Sequence, residues 1–153
     1  MKPVTVSTIV ERTPAEVFAY LNVLANHEAF TDHFIHDWQL SGPAAGVGAC
    51  LRASVSSPGG KQAIEVQVIE AQPPSRIVEH TTAAEGRRVT RGTYRIEPLG
   101  NAHTGVTLEI AAERTPALER FVSPLVRLWI KRVNIHAMQR LRCELESASS
   151  EGG

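Results

Sequence analysis

PALERFVSPLVRLWIKRVNIHAMQRLRCELES, Pro116 to Ser147, is the stretch around which the chain is organised. Apolar residues recur at Val122, Val126, Trp129, Ile130, Val133, Ala137, Leu141 and Leu145, the three-to-four spacing of an amphipathic helix. Arg127, Lys131, Arg140, Arg142 and Glu144 fall mostly between them, and no glycine interrupts the run before Gly152. Thr115-Pro116 is a start signal, a capping hydroxyl followed by a proline whose missing N–H costs nothing at the first helical position. Ser123-Pro124 repeats it. An internal proline bends a helix, so the pattern predicts a short first piece and a main helix from Pro124 to Glu146. At about 1.5 Å per residue that helix is roughly 35 Å long. A domain of this size is roughly 40 Å across. The helix therefore crosses the whole domain and must lie along a sheet.

A second apolar set, Phe121, Leu125, Leu128 and Ile135, widens the stripe. Either the helix is buried on a broad face, or this set docks on a partner, a second copy of the chain or a membrane surface. Lys131, Arg132, Arg140 and Arg142 suit a membrane surface and equally suit solvent.

At 153 residues one domain is expected, 1–147, with a disordered polar tail at 148–153. Sixteen basic and sixteen acidic residues cancel, which argues against nucleic acid as the main partner. Cys50 and Cys143 fit no metal spacing and read as buried small hydrophobes in a reducing compartment. The first ten residues contain no signal-peptide core, and no stretch of about 18 apolar residues exists. The expectation is a cytoplasmic protein, not an integral membrane one.

Residues 3–10 alternate as a first strand, with Val4, Val6, Thr8 and Val10 on one side. Thr13-Pro14-Ala15-Glu16 is a capping box with proline at the first helical position. Val17, Phe18, Leu21 and Leu24 give that helix its apolar face, and a short helix or turn follows over 26–33. The period then changes to two. Strands are expected at 35–40, with Trp38 and Leu40 on one face, and at 49–57, 62–71, 75–82, 88–97 and 105–113. Gly46-Val47-Gly48 and Pro58-Gly59-Gly60 mark turns, and Pro73-Pro74 marks a connection. The links between later strands are too short for parallel crossovers. The fold class is α+β: a seven-stranded curved antiparallel sheet, two short helices and a long C-terminal helix. One helix about 10 Å wide does not fill the hollow of such a sheet. Ala49, Ala53, Gly92 and Ala112, all small and read as facing inward, leave room. An enclosed apolar cavity is the expectation, a filled core the alternative.

His27, His33 and His36 with Asp32 and Asp37 form the densest polar cluster. It reads as a surface turn, as a polar rim at the cavity mouth, or as a metal site. Its spacing fits no familiar ligand signature, so no metal and no cofactor is expected. Arg52 and Ser54 share one strand face, but Leu51, Ala53 and Val55 make the better apolar face and turn Arg52 outward. Tyr94 lies on the apolar face of its strand, placed either to pack or to donate a hydrogen bond to a ligand. It is the one candidate for a catalytic role. Asn134 and His136 bracket the helix stripe and suit the orienting of a ligand, or, for His136, plain solvent exposure.

The order of elements resembles the helix-grip, Bet v 1-like or START-like fold (the SRPBCC superfamily). Val10-Glu11-Arg12-Thr13-Pro14-Ala15-Glu16-Val17-Phe18-Ala19-Tyr20-Leu21 is similar to the opening motif of its polyketide cyclase/dehydrase and lipid-transport branch. Gly46-Val47-Gly48, Tyr94-Arg95-Ile96-Glu97-Pro98-Leu99-Gly100 and the late Met138-x-x-Leu141 also resemble its members. Where many members carry a Trp-Thr/Pro-Gly segment after the first helix, this chain has Phe30-Thr31-Asp32-His33-Phe34. The resemblance implies a small hydrophobic ligand, lipid-like or aromatic, held between sheet and long helix by a carrier or sensor. It also leaves room for a cyclase, aromatase or dehydratase, and a third reading is an interaction module using the long helix. Binding candidates are Phe30, Phe34 and Trp38 before and on the second strand, and Leu51, Val66, Tyr94 and Leu108 on the sheet. The long helix adds Trp129, Val133, Asn134 and Ala137.

Overall fold

The computed structural model describes residues 3–100, 102–115 and 123–151. Strand β1, Val4–Val10, leads into helix α1, Pro14–Leu21. Its start is the capping box read from the sequence: Thr13 Oγ1 accepts from the Glu16 amide at 3.3 Å, and the Glu16 carboxylate accepts from the Thr13 amide. A 3₁₀ turn, Leu24–His27, and a one-turn helix α2, Glu28–Thr31, follow. Six strands come next: β2 Ile35–Ser41, β3 Cys50–Ser57, β4 Gly60–Gln72, β5 Arg76–Ala83, β6 Arg88–Gly100 and β7 His103–Arg114. The last element is helix α3, Ser123–Glu151.

The strands make one antiparallel sheet in the order β1-β7-β6-β5-β4-β3-β2. The six later strands are therefore a meander, and β1 closes its far edge beside β7. Period-two alternation sets the inner face: Val4 and Val6 on β1, Leu51 and Ala53 on β3, Val66 and Val68 on β4, and Val106 and Leu108 on β7 are all buried. Burial removes apolar surface from water at a gain of about 25 cal/mol per Å², so a register slip of one residue would forfeit the whole set. Gly42 is a position where only glycine fits. Its φ is +76°, and a Cβ there would lie 2.6 Å from the Gly48 carbonyl oxygen.

Strand β2 departs from simple alternation. His36 pairs with Ser54 but Gln39 pairs with Arg52, so one extra residue is accommodated on β2. Asp37 takes the left-handed conformation at φ 59° and bonds Lys61 at 2.9 Å. The bulge turns Trp38 toward the interior, while Leu40 at the strand's end is half exposed.

Helix α3 packs mainly on β1 and α2. Arg127 Nη2 donates to the Pro3 carbonyl at 3.0 Å near one end, and Arg12 Nη2 donates to the Glu146 carbonyl at 2.7 Å near the other. Its C-terminal half is core: Ala137, Met138, Leu141 and Leu145 are buried with the sheet's inner face in one cluster. The short helical piece expected before Pro124, and Phe121 with it, lie outside the described residues.

Three expectations are corrected. The helix continues through Glu151, past the end expected at Glu146, because neither glycine nor proline stops it before Gly152. Leu125, Leu128 and Ile135 are exposed, 75%, 45% and 42%, so the broad-face burial of α3 does not hold. The α3 residues that reach the core are Ala137, Met138, Leu141 and Leu145, which this set does not include. Cys143 is exposed and Cys50 only half-buried, since Cys143 falls between the core positions Leu141 and Leu145.

Candidate ligand cavity

Between the concave face and the N-terminal half of α3 lies a cavity of about 610 Å³. That is within the range of roughly 300–1,000 Å³ typical of small-molecule sites. The helix supplies Val126, Trp129, Ile130, Val133 and Asn134. On the sheet, Leu51, Val66, Tyr94 and Leu108 line it, with Phe34 and Trp38 from the second strand and the turn before it. Gly92 and Ala112 also line it, as small inward residues should. Ala49 and Ala53 instead lie in the packed core.

Two binding candidates do not line the cavity. Phe30 is fully buried, its ring 5.1 Å from that of His27 and 6.4 Å from that of Tyr20. Ala137 is 1% exposed in the core cluster. Both fall one turn too far into the packed end of the molecule. Phe34 and Trp129 meet edge to face at 6.1 Å and join the turn before β2 to α3. Trp38 Nε1 donates to the Ile35 carbonyl at 3.2 Å, which leaves its ring as apolar wall. Asn134 is buried and its Nδ2 donates to the Ile130 carbonyl at 2.8 Å.

The histidine cluster comes apart in three dimensions. His27 turns inward, 5% exposed, and lines the cavity, so it is not part of a surface turn. His33 is clasped to α3: its Nε2–H donates to the Val133 carbonyl at 2.9 Å, and its Nδ1 accepts from Arg140 Nη1 at 3.0 Å. Arg140 also bonds Asp32 at 2.6 Å and donates to the Ala29 carbonyl. Partial burial lowers the His33 pKa below its ordinary 6.5, partly offset by the bond to Val133. His36 pairs with Ser54 on β3. His136 is exposed, its ring 4.6 Å from that of His33. Among the described residues no group of three or more His, Cys, Asp or Glu is placed to hold a metal ion. Arg52 points outward to Glu65, as the β3 alternation required.

The inner end of the cavity holds a group the sequence reading missed. Glu79 of β5 is 9% exposed and lines the cavity. Its Oε1 lies 3.7 Å from His27 Nδ1 and has no hydrogen-bond partner among the described residues. The other nitrogen of His27, Nε2, donates to the Leu21 carbonyl at 2.8 Å. Nδ1 is thereby left as the nitrogen that faces the carboxyl. Burial raises the Glu79 pKa above its ordinary 4.5, against the opposing pull of His27. Tyr94, 5% exposed, has its ring 5.7 Å from that of His27. Burial, then the neighbouring Glu79, push its hydroxyl well above the usual 10.0, so it stays protonated and able to donate. The signals were in the sequence: Ile77, Glu79 and Thr81 share a strand face, and Leu24, His27 and Thr31 share a helical face.

At the other end, Arg88 Nη1 donates to Gln62 Oε1 at 2.7 Å, and both residues line the cavity. Thr81 and Thr90, paired across β5 and β6, lie between the two ends. The walls are thus largely apolar, with a carboxyl, an imidazole and a phenol grouped at one end.

The architecture is shared with solved structures. A START superfamily protein from Mycobacterium smegmatis aligns with a TM-score of 0.72 and 14% identity, over 97% of this chain and 99% of that one. TTHA0849 from Thermus thermophilus gives 0.73 and 17%, over 96% and 99%. The ginseng major latex-like protein 151 from Panax ginseng gives 0.70 and 13%, over 93% and 95%. At these identities the likeness is one of fold, the helix-grip fold. No curated protein matches the chain. The family model described as polyketide cyclase/dehydrase and lipid transport matches residues 1–146. With its sheet, gripping helix and cavity in place, the chain belongs to the polyketide cyclase/dehydrase and lipid-transport family.

Proposed function

We propose that the protein binds a small hydrophobic molecule in this cavity, as a carrier or sensor. The observation that carries the reading is the volume: about 610 Å³ between helix and sheet, walled mainly by apolar and aromatic side chains. Apolar surface facing an unfilled space gains about 25 cal/mol per Å² when a ligand removes it from water. The family to which the chain belongs supports the same reading. Phe34, Trp38, Leu51, Val66, Leu108, Trp129 and Val133 form the body of the proposed site, with Tyr94 and Asn134 as polar contacts. Among the described residues no helix is long and apolar enough to cross a membrane.

The test is native mass spectrometry of freshly purified protein, followed by titration with lipid and aromatic extracts. A co-purifying apolar species, displaced by a competitor, is the expected result. Failure to retain any species across those extracts overturns the reading.

Glu79, His27 and Tyr94 favour a second reading, a cyclase or dehydratase. A carboxyl and an imidazole 3.7 Å apart beside a protonated phenol are groups that relay protons. Turnover of a polyketide-like substrate that falls at least about a hundredfold in Tyr94→Phe or Glu79→Gln supports it. Unchanged turnover in both removes it.

A further inference from the structure

We propose that the ligand is an organic amine: an apolar or aromatic body bearing a protonated nitrogen that seats against Glu79. The inference rests on the cavity reading and adds the chemical class of the head group.

Glu79 is the starting point. The residue is 9% exposed, it lines the cavity, and among the described residues Oε1 has no hydrogen-bond partner. A buried carboxyl oxygen without a partner is costly, and a donor brought by a ligand removes that cost. His27, which faces it, stands at 3.7 Å, beyond hydrogen-bond length. Space is available beside the carboxyl. Gly92 lies directly opposite Glu79 in the β5–β6 register and presents no side chain. A Cβ at Gly92 would meet only Leu108 Cδ1, at 3.9 Å.

The remaining walls suit a cation. Phe34, Trp38, Tyr94 and Trp129 all line this one cavity, and aromatic faces attract ammonium groups. Arg88 lines the far end, four residues along β6 from Gly92, the partner of Glu79. A carboxylate head would meet Glu79 as a like charge. A hydroxyl head would satisfy an oxygen but gain nothing from the carboxyl's charge. The ammonium alone answers both the missing hydrogen bond and the unbalanced charge.

The groups that face Glu79 among the described residues are His27 from the 3₁₀ turn and Tyr94 from β6. Tyr94 remains neutral, so the pH response of amine binding comes from Glu79. Amine binding needs the carboxyl ionised and weakens as pH falls.

Isothermal titration calorimetry with naphthylethylamine, naphthylethanol, naphthylpropanoic acid and ethylnaphthalene tests the proposal. The amine is expected to bind at least about tenfold tighter than the alcohol, with the acid weakest. Glu79→Gln should cost the amine about tenfold and leave the alcohol within about twofold. The amine's affinity should fall as pH is lowered in the native chain and change less in the variant. Circular dichroism melting checks that the variant is folded. Should it not fold, the native chain's ranking of the four probes and its pH response decide alone. An alcohol or acid that matches the amine, or an amine indifferent to Glu79→Gln, overturns the inference. Ethylnaphthalene binding without any preference for the amine overturns it while the cavity reading stands. Binding by none of the four overturns both.

Discussion

Nε2 of His33 lies 2.9 Å from the main-chain carbonyl oxygen of Val133, and this bond ties the turn before β2 to the middle of α3. Arg140, bonded to His33 Nδ1, Asp32 and the Ala29 carbonyl, makes the same tie from further along the helix. Replacing His33 by alanine is expected to cost about 1 kcal/mol in denaturant unfolding. Amide exchange should quicken around Val133 while the β5–β7 ladder stays protected.

The same histidine sets an acid limit. Its pKa is lowered in the folded chain, chiefly by burial, so the unfolded chain takes up the proton first as pH falls. Its contribution is complete above about pH 6.5 and is lost below it. As pH falls below about 6.5 the native chain should lose stability more steeply than His33→Gln. Parallel slopes in urea titrations would contradict this.

Glu79 has the opposite sign. Its pKa is raised in the folded chain, so ionising it costs stability as pH rises above the ordinary 4.5. Glu79→Gln is expected to raise the melting temperature at pH 7 by at least about 2 °C. The gain should shrink as pH is lowered toward 4.5, where the native carboxyl is increasingly protonated in both states.

Gly92 offers a way to plug the cavity without disturbing its frame. It sits in β6 with no backbone demand for glycine, and Leu108 alone is near. Gly92→Val should stabilise the strand by about 0.5–1 kcal/mol and reduce ligand affinity at least about tenfold. Unchanged affinity would mean that the ligand does not reach past Thr90 toward Glu79.

Trp38 and Trp129 are the two tryptophans of the chain, and both line the cavity. Intrinsic fluorescence therefore reports occupancy directly. An apolar ligand should shift the emission to the blue, and Trp129→Phe and Trp38→Phe should each remove part of the response. A response that survives intact in either variant would place the ligand away from that residue.

Much of the fold was legible because it rests on two periods. The alternation of Val4, Val6 and Val10, and of Val106 and Leu108, could be satisfied only by one buried sheet face. The Thr13–Glu16 capping box fixed the start of α1 to the residue. The cavity walls on α3 and the sheet followed from the same patterns. What the pattern hid was polar. Glu79 keeps its place in the strand alternation, yet a carboxyl on a core face reads as an error until the space beside it is known. His27 was grouped with His33 and His36 because they are near in sequence, although the helical turn sends it to the opposite side. Phe30 and Ala137 were drawn into the site because apolar character does not tell a packed residue from one facing a void. The exposure of Leu125, Leu128 and Ile135 was likewise hidden, since their spacing is the same whether the face is covered or bare.

Helix α3 is two helices in one as far as selection is concerned. From Ala137 onward its inward side chains are interlocked with the core, and change there is penalised by loss of the fold. From Val126 to Asn134 the inward residues look onto open volume, so exchanging them reshapes what is admitted while the frame endures. A single rod thus separates durability from taste, and descendants of this chain can acquire new chemistry by rewriting barely three turns of it.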